Sequence, residues 1–243
     1  MNKYNISGII SFSESEKISL EEPCFFKSPS GMTTNLRSNE NDEIITEMEL
    51  VASDSDVAAV QLAQNEILRI ANLISWLHSI PINEFRITNY TENIESQHAV
   101  FFADIVKFSD SFSAKEVLGK QTIVKLASNL AKDYDEEFKE MLLMWREALR
   151  EESLGLRFFL FYRILEYPNG QNQEVRKKVD SWIRGKDPSI PLRKDRNGKD
   201  ISVLTFLRDN VHAKASSFPF GDIERYLPKL QNLVRNKIEE RIP

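Results

Sequence analysis

Arg208 and His212 stand four residues apart in the stretch DISVLTFLRDNVHAK, Asp200 to Lys214, and their chemistry is complementary. A neutral imidazole takes a proton near pH 7, and a guanidinium offers a planar two-pronged donor to an anionic phosphorus centre. Together they meet the needs of RNA cleavage by its own 2′-hydroxyl, which must be deprotonated while negative charge builds on the phosphate. That chemistry calls for no metal. The spacing is also compatible with an ordinary solvated charge and a surface histidine, because i,i+4 polar pairs are common on helices.

The element that must position the pair is an amphipathic helix. At 100° per residue, Leu204, Leu207 and Val211 form one apolar stripe, and Arg208 and His212 fall about 40° apart on its flank. Asp200 is the expected N-cap. A second helix precedes it. Leu154 to Tyr167, LGLRFFLFYRILEY, is apolar nearly all round, as expected of the central helix of a bundle, and Arg163 and Glu166 are its charged exceptions. An isolated buried charge costs several kcal/mol. Two arrangements answer this: a local Arg163–Glu166 pair, or Glu166 orienting Arg208 from the neighbouring helix.

Taken together, LGLRFFLFYRILEY and LRDNVHAK resemble the HEPN superfamily, helical domains whose last major helix carries an arginine, a polar residue and a histidine; the likeness covers about residues 153–243. It implies an all-α bundle, a metal-independent endoribonuclease without a cofactor, and a role as a toxin or anti-phage defence effector. By the same resemblance Arg208 takes the place of the phosphate-binding arginine, Asp209 the polar residue and His212 the histidine. A homodimer placing two such helices face to face is implied too. The sequence departs from the family at one point: only Asp209, Asn210 and Val211 separate arginine from histidine, where the family places four to six residues. That shortening favours the alternative, a catalytically inactive HEPN-like module binding RNA, a nucleotide or a protein partner or inhibitor. An open, basic setting for Arg208 and His212 would favour the enzyme; burial of either in an apolar contact would favour the module.

Composition narrows the surroundings. The net charge of −5 hides an asymmetry: residues 1–110 hold 7 Lys or Arg against 17 Asp or Glu, and residues 111–243 hold 25 against 20, which leaves −10 and +5. Phosphate contacts supply most sequence-independent affinity, so RNA is expected to meet the second half only. Lys186 to Lys199, KDPSIPLRKDRNGK, reads as a loop guiding a phosphate backbone, with Arg193, Lys194 and Arg196 as substrate contacts. The single cysteine, Cys24, excludes an intramolecular disulfide. No apolar run approaches the ~20 residues of a membrane span. These features lead to the expectation of a cytoplasmic protein away from membranes. Neither His78 nor His98 has a second ligand at metal spacing. No glycine-rich phosphate loop, GxSxG or HExxH occurs.

The expected architecture is an α+β domain over residues 1–110 followed by a helical bundle over 111–243. Residues 4–12, 43–52, 85–90 and 99–107 read as strands, with Phe25 and Phe26 marking another, and residues 28–42 read as a polar loop. One long helix ends at His78. In the second half helices begin near Ser113 and near Asp135, then at Leu154, Gln173, Asp200 and Asp222.

Overall fold

In a computed structural model the described residues are 2–12, 16–52, 56–92, 114–170, 172–211 and 220–242. They fall into two compact units, Met1–Tyr134 and Asp135–Pro243. The division lies later than the change of composition near residue 110. A helix assigned by sequence to the bundle therefore belongs with the first unit.

The first unit is built on an antiparallel sheet of five strands in the order β3-β4-β5-β1-β6. Its members are β1 (Asn2–Phe12), β3 (Cys24–Lys27), β4 (Thr33–Ser38), β5 (Ile44–Ala52) and β6 (Ile82–Glu92). Alternation along β1 sends Tyr4, Ile6 and Ile10 to the buried face, where Ile44, Met48 and Leu50 of β5 join them. Helix α1 (Asp56–His78) packs on β1, β5 and β6 with Ile67, Ile70 and Ile74 fully buried. Strands β2 (Glu16–Leu20) and β7 (Ala114–Leu118) pair in parallel, and α2 (Lys120–Leu130) follows with Ile123, Leu126 and Leu130 buried.

Two expectations for this unit are corrected, the polar loop at 28–42 and the helix beginning near Ser113. The polar stretch 28–42 contains β4, whose only deeply buried side chains are Thr34 and Leu36. Pairing with β5 on one side and β3 on the other satisfies its backbone, so few apolar residues were required. Val117 lies in a strand, since Ser19 of β2 is its partner and helix begins only after Gly119. Strand β2 itself had no place in the sequence reading. The expected strand at 99–107, and His98 beside it, lie outside the described residues.

The second unit holds α3 (Glu136–Arg150), α4 (Leu154–Glu166), α5 (Gln173–Lys186), a hairpin of β8 (Leu192–Lys194) and β9 (Asp200–Ser202), α6 (Val203–Val211) and α7 (Phe220–Glu239). Helix α4 contacts α3, α5, α6 and α7, and Phe158, Phe161, Tyr162 and Ile164 are completely buried. This is the central position that its all-round apolarity required. Trp145 of α3 meets Phe161 edge to face with ring centroids 5.0 Å apart. Two helix starts are capped as their side chains allow: Asp135 accepts from the Phe138 amide at 2.7 Å, and Asn172 from the Val175 amide at 2.9 Å.

The start of α6 differs from expectation. Asp200 is not its cap; it pairs with Lys194 in the hairpin, so the segment read as a loop turns back as two short strands. The cap is Ser202, whose Oγ accepts from the Thr205 amide at 3.2 Å. Because Ser202 is buried and its hydroxyl also contacts Thr205 Oγ1 at 3.0 Å, Ser202→Ala is expected to cost about 1–2 kcal/mol in urea unfolding. A loss below a few tenths would remove its capping role.

Candidate functional site

Helix α6 is anchored by a buried polar chain that the sequence did not reveal. The Ser202 amide donates to Asp180 Oδ1 of α5 at 2.8 Å, and Thr205 Oγ1 lies 2.8 Å from Tyr162 Oη of α4. Burial pushes the Tyr162 phenol well above its ordinary value, so it stays a neutral hydrogen-bonding group. The Val203 amide adds a bond of 2.8 Å to the Pro191 carbonyl. Helix α6 is thus held in register against α4 and α5, and the direction of Arg208 follows from that register.

Arg208 turns toward α4. Its Nη2 lies 2.7 Å from Glu166 Oε1, while Arg163 Nε stands 3.9 Å from Oε2 of the same carboxylate. The closer partner is therefore the one across the helix interface. At 2.7 Å the Arg208–Glu166 contact is a close ion pair across the α4–α6 interface. Glu166 is 1% exposed and Arg208 14%. Burial pushes the Glu166 carboxyl above its usual range despite the attraction of Arg208 and Arg163. The guanidinium also lies 5.9 Å from the Tyr162 ring centre and 6.0 Å from that of Phe159.

Asp209 carries the charge pattern outward. It contacts Arg208 Nη1 at 3.4 Å and Arg176 Nη1 of α5 at 3.0 Å, and Arg176 reaches Asp195 of the hairpin turn at 3.8 Å. Charges alternate along Glu166, Arg208, Asp209, Arg176 and Asp195, from the core to the surface. Burial raises the Asp209 carboxyl above its ordinary value, against the pull of Arg176, Arg208 and Arg196. Beside Asp209 opens a pocket of about 290 Å³ lined by Gln173, Arg176, Asp195, Arg196, Phe206 and Asp209 among others.

The residues singled out by sequence thus divide. Glu166, Arg208 and Asp209 form one connected cluster. Arg196 lines the adjoining pocket. Arg193 and Lys194 are drawn into the hairpin's surroundings, with Asp222 at 3.7 Å from the first and Asp200 at 2.7 Å from the second. His212 lies outside the described residues. His78, at the end of α1, has Nδ1 3.3 Å from Glu116 Oε2 and is 9% exposed, a structural contact within the first unit. Arg176, Tyr162, Asp180 and Thr205 were missed. Arg176 sits at ordinary helical spacing with nothing in its neighbours to mark it, and only the approach of α5 to α6 gives it a role.

No cluster of His, Cys, Asp or Glu suited to a metal occurs among the described residues. No helix among them is long and apolar enough to cross a membrane. A scan of family models finds none that matches the chain, and searches of curated proteins and of solved structures find no match either.

Proposed function

We propose that residues 135–243 act as a HEPN-like helical module that binds RNA without cleaving it. The observation that supports this is the state of Arg208. Its charge is met by a buried glutamate at 2.7 Å, its guanidinium lies 5.9 and 6.0 Å from the ring centres of Tyr162 and Phe159, and 14% of the side chain reaches solvent. A guanidinium that must neutralise a developing phosphorane needs an open face. Here the side chain works as the strut between α4 and α6. The shortened arginine-to-histidine spacing agrees with that role, and residues 135–243, with 21 Lys or Arg against 18 Asp or Glu, keep a basic balance that supplies the affinity for phosphate.

Incubation of the pure protein with total RNA in EDTA tests the reading. The expected result is a mobility shift that weakens as salt rises, with the RNA recovered intact. Cleavage that leaves 2′,3′-cyclic phosphate ends and disappears in Arg208→Lys would overturn it.

That outcome would establish the second reading, a metal-independent endoribonuclease of toxin or defence type. One observation favours it: Glu166 reaches Arg208 from the neighbouring helix, as an orienting carboxylate should. In this reading two copies meet through the helical unit to form a composite groove, and light scattering would show a dimer.

A further inference from the structure

The pocket beside Asp209 continues into a second one of about 330 Å³, the two sharing Gln173, Arg176, Asp195, Asn197 and Ile201. The second is lined in addition by Lys177, Asp180, Arg184, Lys199 and Asp200. The result is one groove running between α5, the β8–β9 hairpin and α6. A raw count of its charges is close to neutral, but the partners of each group matter more than the count.

Every carboxylate in the groove is already engaged. Asp180 accepts from the Ser202 amide and has Arg184 at 4.0 Å. Asp195 accepts from the Asn197 and Lys199 amides at 2.8 and 2.9 Å and faces Arg176. Asp200 pairs with Lys194, and Asp209 with Arg176 and Arg208. The nearby Glu174 is taken by Lys178 at 2.9 Å. The cations are not all engaged in return. Among the described residues, Arg196, Lys177 and Lys199 have no carboxylate within ion-pair distance, and the side-chain amides of Gln173 and Asn197 make no hydrogen bond.

We infer that this groove binds a phosphate group, supplied either by the backbone of single-stranded RNA or by a free mononucleotide. Three cations with no carboxylate within ion-pair distance among the described residues, and the side-chain amides of Gln173 and Asn197, line a concavity whose acids each have a closer partner, and the residual positive field is what an anion finds. Phosphate suits the set because Arg196 offers paired N–H donors while Lys177 and Lys199 act as point charges. Phe206, partly exposed and lining the first pocket, offers a base an aromatic ring to stack on. This inference goes beyond RNA binding in general and does not depend on it.

Calorimetric titration of the full chain with inorganic phosphate, a nucleoside 5′-monophosphate and a single-stranded RNA oligomer tests the groove, in the native protein and in a Lys177→Ala, Arg196→Ala, Lys199→Ala variant. These three side chains are exposed, so folding is expected to survive; Lys3→Ala with Lys27→Ala, in the other unit, removes charge elsewhere as a control. The triple variant is expected to bind whichever phosphate ligand the native protein takes about tenfold or more weakly, and the slope of log K against log salt for RNA becomes shallower by about 2, while the control changes neither. Binding of the mononucleotide alone identifies the free nucleotide as the ligand and removes the RNA reading while the groove stands. Binding of RNA alone identifies the backbone. Affinity for every probe unchanged in the triple variant overturns the groove, and leaves RNA binding, if observed, to another surface.

Discussion

Glu166→Ala is expected to destabilise the second unit by about 3 kcal/mol, the lower end of the range for breaking a buried ion pair. The lower end applies because Asp209 remains 3.4 Å from Arg208 and still meets part of its charge. Replacing both partners, Glu166→Met with Arg208→Met, is expected to recover most of the loss, since two apolar side chains fill the α4–α6 contact without a charge to desolvate. Urea unfolding followed by far-ultraviolet circular dichroism reads both. If the single variant lost less than about 1 kcal/mol, the carboxylate would not be holding Arg208.

The same pair has a pH signature. The folded-state value of Glu166 is raised above its ordinary 4.5 by burial. The folded protein therefore keeps the proton where the unfolded chain has lost it. The associated stability is present below the ordinary value and is lost as pH rises through the folded one. Stability of the native protein should accordingly carry a component that declines upward from about pH 4.5, and the Glu166→Met, Arg208→Met protein should lack it. An unchanged profile in the double variant would assign the dependence to Asp209, whose carboxyl is raised for the same reason.

The second large effect lies in the first unit, at Gly8→Val. A Cβ at Gly8 would stand 2.3 Å from Ile67 Cδ1, 2.8 Å from Thr46 Oγ1 and 2.8 Å from the Arg86 carbonyl oxygen. The isoleucine tip can move, but the carbonyl belongs to β6 and cannot shift without disturbing the β1–β6 pairing, which already changes register between Ser7 and Gly8. Gly8→Ala should cost about 1–3 kcal/mol and Gly8→Val more. Hydrogen exchange should accelerate in β1, β5 and β6. Ile67→Val in the alanine background should restore only part of the loss, because the carbonyl contact persists. Full recovery would show that the clash is confined to the helix side chain.

These sites show which parts of the molecule were readable from local pattern. Helical periodicity in residues 56–78, 136–150 and 220–239 marked α1, α3 and α7, because each buries a continuous apolar stripe that is written into its own sequence, and all-round apolarity marked α4 at 154–166. The alternation in β1 and β5 was equally legible. Strand β4 was not, since TTNLRS takes its place by backbone pairing to two neighbours and buries only two side chains deeply. Strands β2 and β7 pair across nearly a hundred residues, a separation that no local pattern encodes.

The candidate site divides in the same way. Residue types and helical spacing identified Arg208 and Glu166, the HEPN resemblance added Asp209, and the crowding of apolar residues around Glu166 required a partner for it. Which partner was a tertiary matter. Arg163 is nearer in sequence, yet the buried bonds from Tyr162 to Thr205 and from Asp180 to Ser202 set the register of α6 so that Arg208 approaches Glu166 more closely. The exposure of Arg208, the engagement of Arg193 and Lys194 by nearby acids, and the groove in which Lys177, Arg196 and Lys199 have no carboxylate within ion-pair distance among the described residues follow from how α4, α5, the hairpin and α6 pack. A charged side chain's sequence states its sign; its distance to the next charge, and so its availability to a ligand, is fixed by the fold.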